Sequence, residues 1–269
     1  MSIELKVYDN GDHTCLVWLP TDGKSIATCR GFTIHKLLNG KESYLHGSVG
    51  FSDNDKLDPK NAWKFPLQRF LWWDYFVKPG DKVRYSVIPV VGPDKDHLTL
   101  DTKNASPVTA EITITGQRTP HLSAYFNKGI VAAQWVARDL ATQPKDSKIR
   151  DIVAQPNNQV RNALSGLLRP QILSLLAETK KNKGKIFAAL YELNDPELIP
   201  ALVALGKDCN LILANGAFKD NNPPDNDENR AVRAQLKSKI MLFNRIVSKG
   251  HFGHNKFVVF CDTAGKPQR

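Results

Sequence analysis

Short stretches of alternating apolar and polar residues, separated by turn signals, make up the first 116 positions of the chain. Residues 3–7 and 83–87 alternate in this way, and residues 108–115 repeat the pattern. Between two such stretches stands Asn39-Gly40, a residue pair that two-residue hairpin turns favour. Because a period of two is typical of strands with one buried face, this region is predicted to be an all-β sandwich.

The aromatic segment 70–75, the turn Pro79-Gly80 and the strand-like stretch 83–87 add a general family likeness. Together they resemble the approach to a late strand in fibronectin type III and immunoglobulin-like domains. The resemblance implies that residues 1–116 form a spacer or interaction module in front of a second domain.

After residue 116 the hydrophobic pattern becomes a succession of helical and strand-like stretches. Helical spacing occurs near residues 130–140 and again at 164–176, where Pro170 indicates a break. The run 185–193 is continuously apolar, as expected of a strand that is covered on both faces. The remaining predicted elements are a helix that starts within 194–197 and ends at Gly206, a strand at 209–214, a polar loop at 219–229, a helix at 231–237, and strands at 240–243 and 257–261. This order predicts an α/β domain with a mostly parallel sheet, incomplete at its C-terminus.

The charge balance changes at the same place as the hydrophobic pattern. Residues 1–116 contain 14 Lys and Arg against 14 Asp and Glu, whereas residues 117–269 contain 23 against 13, so the whole net charge of +10 belongs to the second part. The segment 116–120 is therefore predicted to link two domains, 1–116 and 117–269. A basic domain favours an anionic partner such as nucleic acid or phospholipid headgroups, although a solvated basic surface would have the same composition.

Cysteine spacing and hydropathy limit the compartment and the class of protein. Cys15, Cys29, Cys209 and Cys261 lie far apart without a CxxC pair, which argues against a disulfide framework and a structural zinc site. The N-terminus lacks the basic start and apolar run of a secretory signal, and no stretch approaches 18 apolar residues. The expected compartment is the cytoplasm.

The segment His254–Asp262 carries the candidate chemistry, and it resembles the HxK…D (HKD) signature of the phospholipase D superfamily. The resemblance covers the organisation of residues 117–269, and its specific part is the segment itself. The family usually places an Asp five positions after the Lys, where this chain has Cys261 followed by Asp262. The resemblance implies catalytic roles for His254, Lys256 and Asp262 in a phosphodiesterase that uses a covalent phosphohistidine, with no metal or cofactor required.

The residue types of the motif suit attack on a phosphodiester. A neutral imidazole such as that of His254 can attack an anionic phosphate without charge repulsion, and histidine titrates near neutral pH. The ammonium of Lys256 would bind the phosphate oxygens more tightly as negative charge builds up in the transition state. Residues two apart in an extended chain point the same way, so both side chains are expected to reach one phosphate.

Four further residues are predicted to contact the substrate: Glu192, Asn255, His251 and Arg245. Glu192 follows the first α/β strand, at the end where ligand sites form in such sheets, although it could equally cap the turn at Asn194. His251 is expected to line the approach to the site. Zinc binding by His251 and His254 stays open, with Cys261 or Asp262 as a third ligand. Lys219, Arg230 and Arg233 are further candidates that could equally be solvated charges.

One motif is only half of an active site in this family. Its members build one pocket from two His-x-Lys motifs, supplied by two halves of a chain or by two subunits, and a Gly-Ser…Asn element follows the first motif. We therefore expect the natural chain to continue, with its C-terminal half or a second subunit as the partner that completes the site. Residues 1–269 alone are expected to be inactive or nearly so.

The sequence leaves three functions open. The first is a phosphodiesterase with nucleic acid, as for a nuclease, as the favoured substrate. The second is a phospholipase D or phosphatidyl transferase, which would need an apolar entrance near the pocket. The third is a binding protein on a degenerate phospholipase D scaffold.

Overall fold

A computed structural model describes residues 3–47, 49–52, 55, 59–116, 119, 121–128, 140, 148–216, 227–248 and 251–269. The chain forms two compact units, Met1–Trp135 and Val136–Arg269. The boundary between them falls among residues outside these ranges, so the division predicted at residues 116 and 117 stays a prediction. Apart from residue 140, the helix predicted near 130–140 lies outside the described residues, as does most of the loop predicted at 219–229.

The described part of the first unit contains two antiparallel sheets. One has the strand order β1-β2-β5, and the other has the order β4-β3-β6-β7 with β8 also paired to β6. The strands are β1 Ile3–Asp9, β2 Thr14–Pro20, β3 Cys29–Leu38, β4 Lys41–Leu45, β5 Leu71–Asp74, β6 Lys82–Val91, β7 Thr99–Leu100 and β8 Ile112–Thr113, with 3-10 helices at Pro59–Lys64 and Thr102–Asn104.

Alternating side chains of both sheets meet in one hydrophobic core. Leu16 and Trp18 from β2 pack with Ile34 from β3 and Tyr85 from β6, and all four are almost fully buried. The hairpin predicted from Asn39-Gly40 is confirmed: it joins β3 to β4 with positive φ angles of 49° and 81°, as such two-residue turns require.

Inside this core, a chain of buried polar groups joins the two sheets. The Lys36 ammonium on β3 lies 2.6 Å from the Asp74 carboxylate on β5. The Tyr85 hydroxyl on β6 donates to the same carboxylate at 2.8 Å and lies 2.8 Å from the Thr14 hydroxyl on β2. Burial and the neighbouring Asp74 charge raise the pKa of Tyr85, so it remains a neutral donor.

The described part of the second unit has one sheet of order β11-β10-β9-β12 and short helices. Its elements are α1 Ile149–Val153, α2 Gln159–Ser165, α3 Leu168–Lys181, β9 Lys185–Leu190, α4 Leu198–Val203, a 3-10 helix Gly206–Asp208, β10 Cys209–Ala214, α5 Arg230–Leu236, β11 Met241–Arg245 and β12 Lys256–Cys261. The break expected at Pro170 lies at Gly166, whose positive φ of 52° ends α2. Pro170 itself stands in the first turn of α3, where the missing N–H costs nothing.

The predicted fold class is wrong. The described chain is mostly β, with twelve strands in three sheets that are mainly antiparallel and with only about 22% helix. In the second unit, β9, β10 and β11 are parallel, but β12 runs antiparallel to β9. A parallel return needs a crossover of a dozen or more residues, usually a helix, whereas only residues 246–255 join β11 to β12 and their described part contains no helix.

The prediction that strand 185–193 is covered on both faces is also wrong for the described residues. Ile186 and Ala188 face the helices and are buried, whereas Phe187 between them is 45% exposed. The sequence shows only that a side chain is apolar, and it does not show whether a second layer covers it. None of the helices in the described ranges is long and apolar enough to cross a membrane.

Candidate functional site

The ends of four strands meet at one edge of the second unit's sheet. The parallel strands β9, β10 and β11 all finish there, and the antiparallel strand β12 starts there. Tyr191, Asn215 and Ile246 therefore follow three strands at the same edge where His254 precedes the fourth. We call this the carboxyl edge, which is where open sheets with parallel strands commonly bind ligands.

His254 and Lys256 are brought together at the carboxyl edge. The Lys256 Nζ lies 2.6 Å from the His254 Nε2, and both side chains belong to exposed residues. An ammonium can only donate, so Nε2 is the accepting nitrogen in this contact. The nitrogen with the free electron pair therefore lies beside the cation.

The Tyr191 ring contacts both His254 and Lys256. Its ring is 4.5 Å from the His254 ring, centroid to centroid, in an edge-to-face arrangement, and the Lys256 Nζ lies 5.0 Å from the Tyr191 ring centroid. Tyr191 is only 7% exposed, so its ring is fixed by packing. The contacts limit how far the imidazole and the ammonium can move.

Asn229 ties the ends of β9 and β10 to each other. Its side-chain amide donates to the carbonyls of Tyr191 and Ala214, each at 2.8 Å, and its oxygen accepts from the Leu193 N–H at 3.1 Å. The residue is 3% exposed. Because one buried side chain satisfies three backbone groups, the backbone under Tyr191 is held in place.

Arg233 has a similar structural role instead of facing a substrate. It donates to Asp227 at 3.0 Å and to the carbonyls of Leu213 and Ala214 at 3.1 and 2.8 Å. The Arg233 side chain is only 13% exposed, and its charge is paired with Asp227 of the same unit. Arg230 is exposed on α5, and Lys219 lies outside the described residues.

Asp262, the third residue of the expected catalytic set, is not at the carboxyl edge. It follows the far end of β12, about 20 Å of extended chain from Lys256. One of its carboxylate oxygens accepts from the N–H groups of Ala264 and Lys266 at 3.0 and 2.8 Å, which closes a turn. The pairing of β12 with β9 runs without a bulge, so Cys261 stays buried in the strand.

The four predicted substrate contacts differ in position. Arg245 ends β11 at the carboxyl edge, and its Nε would lie 3.5 Å from a Cβ placed on Gly253, next to His254. Glu192 is exposed at the same edge, after Tyr191. Asn255 is exposed between the pair, with its N–H bonded to the Gly253 carbonyl. His251 is exposed in the connection, 3.2 Å from the Ser248 hydroxyl.

Among the described residues, potential metal ligands do not cluster at the carboxyl edge. In the part of the chain that the structure describes, no group of three or more His, Cys, Asp or Glu side chains could hold a metal ion. His251 and His254 therefore lack a third ligand there, and Cys261 and Asp262 lie at the other end of β12.

The sequence did not single out Tyr191 and Asn229 as parts of the site. By sequence, Tyr191 belongs to an apolar strand and Asn229 to a polar loop. A sequence signal does exist for Tyr191, because an aromatic residue directly after a buried strand stands at the ligand-binding end of that strand. Asn229 has no such signal, since its three partners come from two distant strand ends.

No model of a protein family matches this chain, and no curated protein is significantly similar to it.

Proposed function

We propose that the carboxyl edge is the nucleophile-bearing half of a phosphodiesterase that works through a phosphohistidine, as the resemblance to the phospholipase D superfamily implies. The observation that carries the proposal is the 2.6 Å contact between the His254 Nε2 and the Lys256 Nζ, with both side chains open to solvent. A nucleophile and a cation so placed can act on the same phosphate group.

In the proposed step, the Nε2 lone pair of His254 attacks phosphorus as Lys256 moves from the imidazole to a non-bridging oxygen. The new N–P bond forms while the bond from phosphorus to the leaving oxygen breaks. The leaving oxygen takes a proton from a second acid, and water later cleaves the N–P bond. Tyr191 keeps the ring edge-on and the ammonium within reach throughout.

Nucleic acid is the favoured substrate in this proposal. Residues 117–269 hold the whole net charge of +10, and Arg245 adds an exposed cation at the edge where the pair lies. Cations of this kind attract a polyanion through its phosphates.

A phospholipid substrate is the second candidate, and one observation favours it. Ile246 and Phe252, in the connection that leads to His254, are 49% and 67% exposed, and they offer an apolar approach to the pair. A non-catalytic binding role remains the third interpretation, and the adduct experiment below distinguishes it from both enzymes.

A partner and a compartment also belong to the proposal. The second acid would come from a C-terminal half of the same protein or from a second subunit, as in the family that the motif resembles. The cysteines are free thiols, which fits a reducing compartment, and we propose the cytoplasm.

A phosphodiester with a nitrophenol leaving group tests the nucleophile alone, because nitrophenolate leaves without being protonated. With bis(p-nitrophenyl) phosphate, we expect a burst of one nitrophenolate per chain and an aryl phosphoryl group on His254, identified by mass spectrometry after an alkaline quench. His254→Gln should abolish the burst, and Lys256→Met should slow it on the order of a hundredfold.

Two control variants test whether the burst depends on His254 and Lys256 specifically. His97→Gln and Lys266→Met replace an exposed histidine and an exposed lysine away from the pair, and they should leave the burst unchanged. A chain without the adduct, or with the adduct on another residue, would exclude the phosphohistidine and leave the binding role.

A further inference from the structure

The sheet of the second unit has one face that the described helices do not cover. On four neighbouring strands, the residues of one row face the same side: Phe243, Ile212, Ala189 and Phe257. The next row on this side contains Met241, Asn210, Phe187 and Val259. Together with Lys185 and Arg245 at the ends of β9 and β11, we call these residues the open face.

Aromatic rings dominate the exposed area of the open face. Phe187, Phe243 and Phe257 are 45%, 51% and 52% exposed. The opposite side chains of the same strands, such as Ile186 and Leu211, are fully buried under the helices. On the open face the large side chains are exposed, and the small Ala189 between them is 6% exposed. Three exposed aromatic rings on one face form an apolar patch, whereas an ordinary protein surface shows apolar residues singly.

The charge of the open face has a single sign. Its charged members are Lys185 and Arg245, and no strand residue on this side is an Asp or a Glu. The strands of the open face carry no carboxylate on this side, and residues 117–269 have a net charge of +10, so the open face is complementary to a polyanion. Aromatic rings that alternate with cations are the combination by which proteins bind single-stranded nucleic acid, since each ring stacks on one base.

The spacing of the rings suits successive bases. Phe257 pairs with Ala189, and Phe187 stands two residues from Ala189 on the same strand, so the two phenyl groups are diagonal neighbours. Diagonal side chains in an antiparallel pair are roughly 7–8 Å apart. Four-stranded sheets with aromatic faces bind two or three bases of single-stranded RNA in this way.

We propose that the open face binds single-stranded nucleic acid, with bases stacked on Phe187, Phe243 and Phe257 and phosphates bound by Lys185 and Arg245. Phe257 directly follows Lys256 at the carboxyl edge, with the two side chains on opposite faces of β12, so a strand bound to the open face would reach the pair by passing over the end of β12. That single strands are the substrate rests on the proposed phosphodiesterase function, whereas binding itself is measured without any reaction.

The test uses the whole chain with His254→Gln, which removes the nucleophile, and a fluorescent twelve-residue oligothymidylate. Phe257→Leu and Phe243→Leu keep an apolar side chain but remove the ring, and each should weaken binding about tenfold. Phe257→Tyr should bind as well as the parent chain. A duplex of the same length should bind more weakly than the single strand, because its bases are not free to stack.

Salt dependence separates the cations from the rings. Arg245→Met and Lys185→Met should each lower the slope of log affinity against log salt by about 0.7, whereas the Leu variants should leave this slope unchanged. Phe76→Leu is the matched control, since Phe76 is 75% exposed in the first unit and should not affect binding. Far-UV circular dichroism checks that each variant is folded.

Two results would overturn the inference. One is equal affinity of the Leu variants and the parent chain for the oligonucleotide. The other is a dimer, seen in sedimentation velocity, that the Leu variants dissociate while oligonucleotide affinity stays the same. The burst with the small aryl ester does not need the aromatic rings of the open face, so its loss reports failure of the proposed chemistry alone.

Discussion

At the scale of single residues, the site depends on three side chains from two strand ends. His254 and Lys256 are close because a spacing of two places both on one side of an extended segment. Tyr191 comes from another strand, and its buried ring fixes the position of both. The hydrogen bonds of Asn229 fix Tyr191 in turn, so the geometry of the pair is set from outside the motif.

Replacing Tyr191 separates the role of its ring from that of its hydroxyl. Tyr191→Phe keeps both ring contacts, so the nitrophenolate burst should change less than twofold. Tyr191→Leu removes the edge-to-face contact and the cation–π contact, and the burst rate should fall about fivefold, in line with about 1 kcal/mol for such contacts. The burst amplitude should stay at one per chain for both. Equal rates for the two variants would show that the ring does not position the pair.

At the scale of elements, the N-terminal end of α4 is held by the carboxylate of Asp195, which precedes the helix. One oxygen of Asp195 accepts from the N–H groups of Glu197 and Leu198, each at 2.9 Å, and the other lies 2.6 Å from an Arg161 Nη2. Burial raises the pKa of Asp195, but these hydrogen bonds and the Arg161 charge outweigh burial and lower it. The loop after Tyr191 is thereby joined to α2, which carries Arg161.

The lowered pKa of Asp195 predicts how stability depends on pH. A folded pKa below the unfolded value stabilises the protein above about pH 4, and this contribution is lost as the pH falls through the folded pKa. Asp195→Asn should therefore lower the free energy of unfolding by about 1–2 kcal/mol at pH 7, measured in urea by circular dichroism. The difference should shrink below pH 4.

Asp151→Asn provides the comparison for Asp195. The Asp151 side chain is 66% exposed on α1, so its replacement should change stability by less than about 0.5 kcal/mol at any pH. An effect of Asp195→Asn that stays constant down to pH 3 would show that the carboxylate charge does not contribute.

At the scale of the whole molecule, each unit has a core of its own. The core of the first unit encloses an ion pair between Lys36 and Asp74 whose side chains are 4% and 0% exposed. All five tryptophans lie within residues 1–135, and all the described α-helices lie in the second unit. Tryptophan fluorescence therefore reports on the first unit, and the α-helices of the described residues make circular dichroism report on the second.

Breaking the buried ion pair should destabilise the first unit strongly. Asp74→Asn leaves the Lys36 ammonium buried without a counter-charge, which costs about 3–5 kcal/mol, so the fluorescence transition in urea should move to lower concentration. The double change Lys36→Met with Asp74→Leu should recover most of this loss. The circular dichroism transition, which reports on the second unit, should occur at an unchanged urea concentration. A fluorescence transition that Asp74→Asn does not move would show that the pair is not buried in solution.

The sequence by itself determined the local periodicities, the hairpin at Asn39-Gly40, the helix near residues 231–237, and the proximity of His254 to Lys256. These depend on neighbours along the chain, whose spacing decides which way a side chain points. Only the tertiary structure decided the direction of β12, the distance of Asp262 from the pair, and the exposure of Phe187, Phe243 and Phe257. Those features depend on which distant strands pair and on which face a helix covers. Such choices are set by contacts between segments far apart in the chain, which no local pattern encodes.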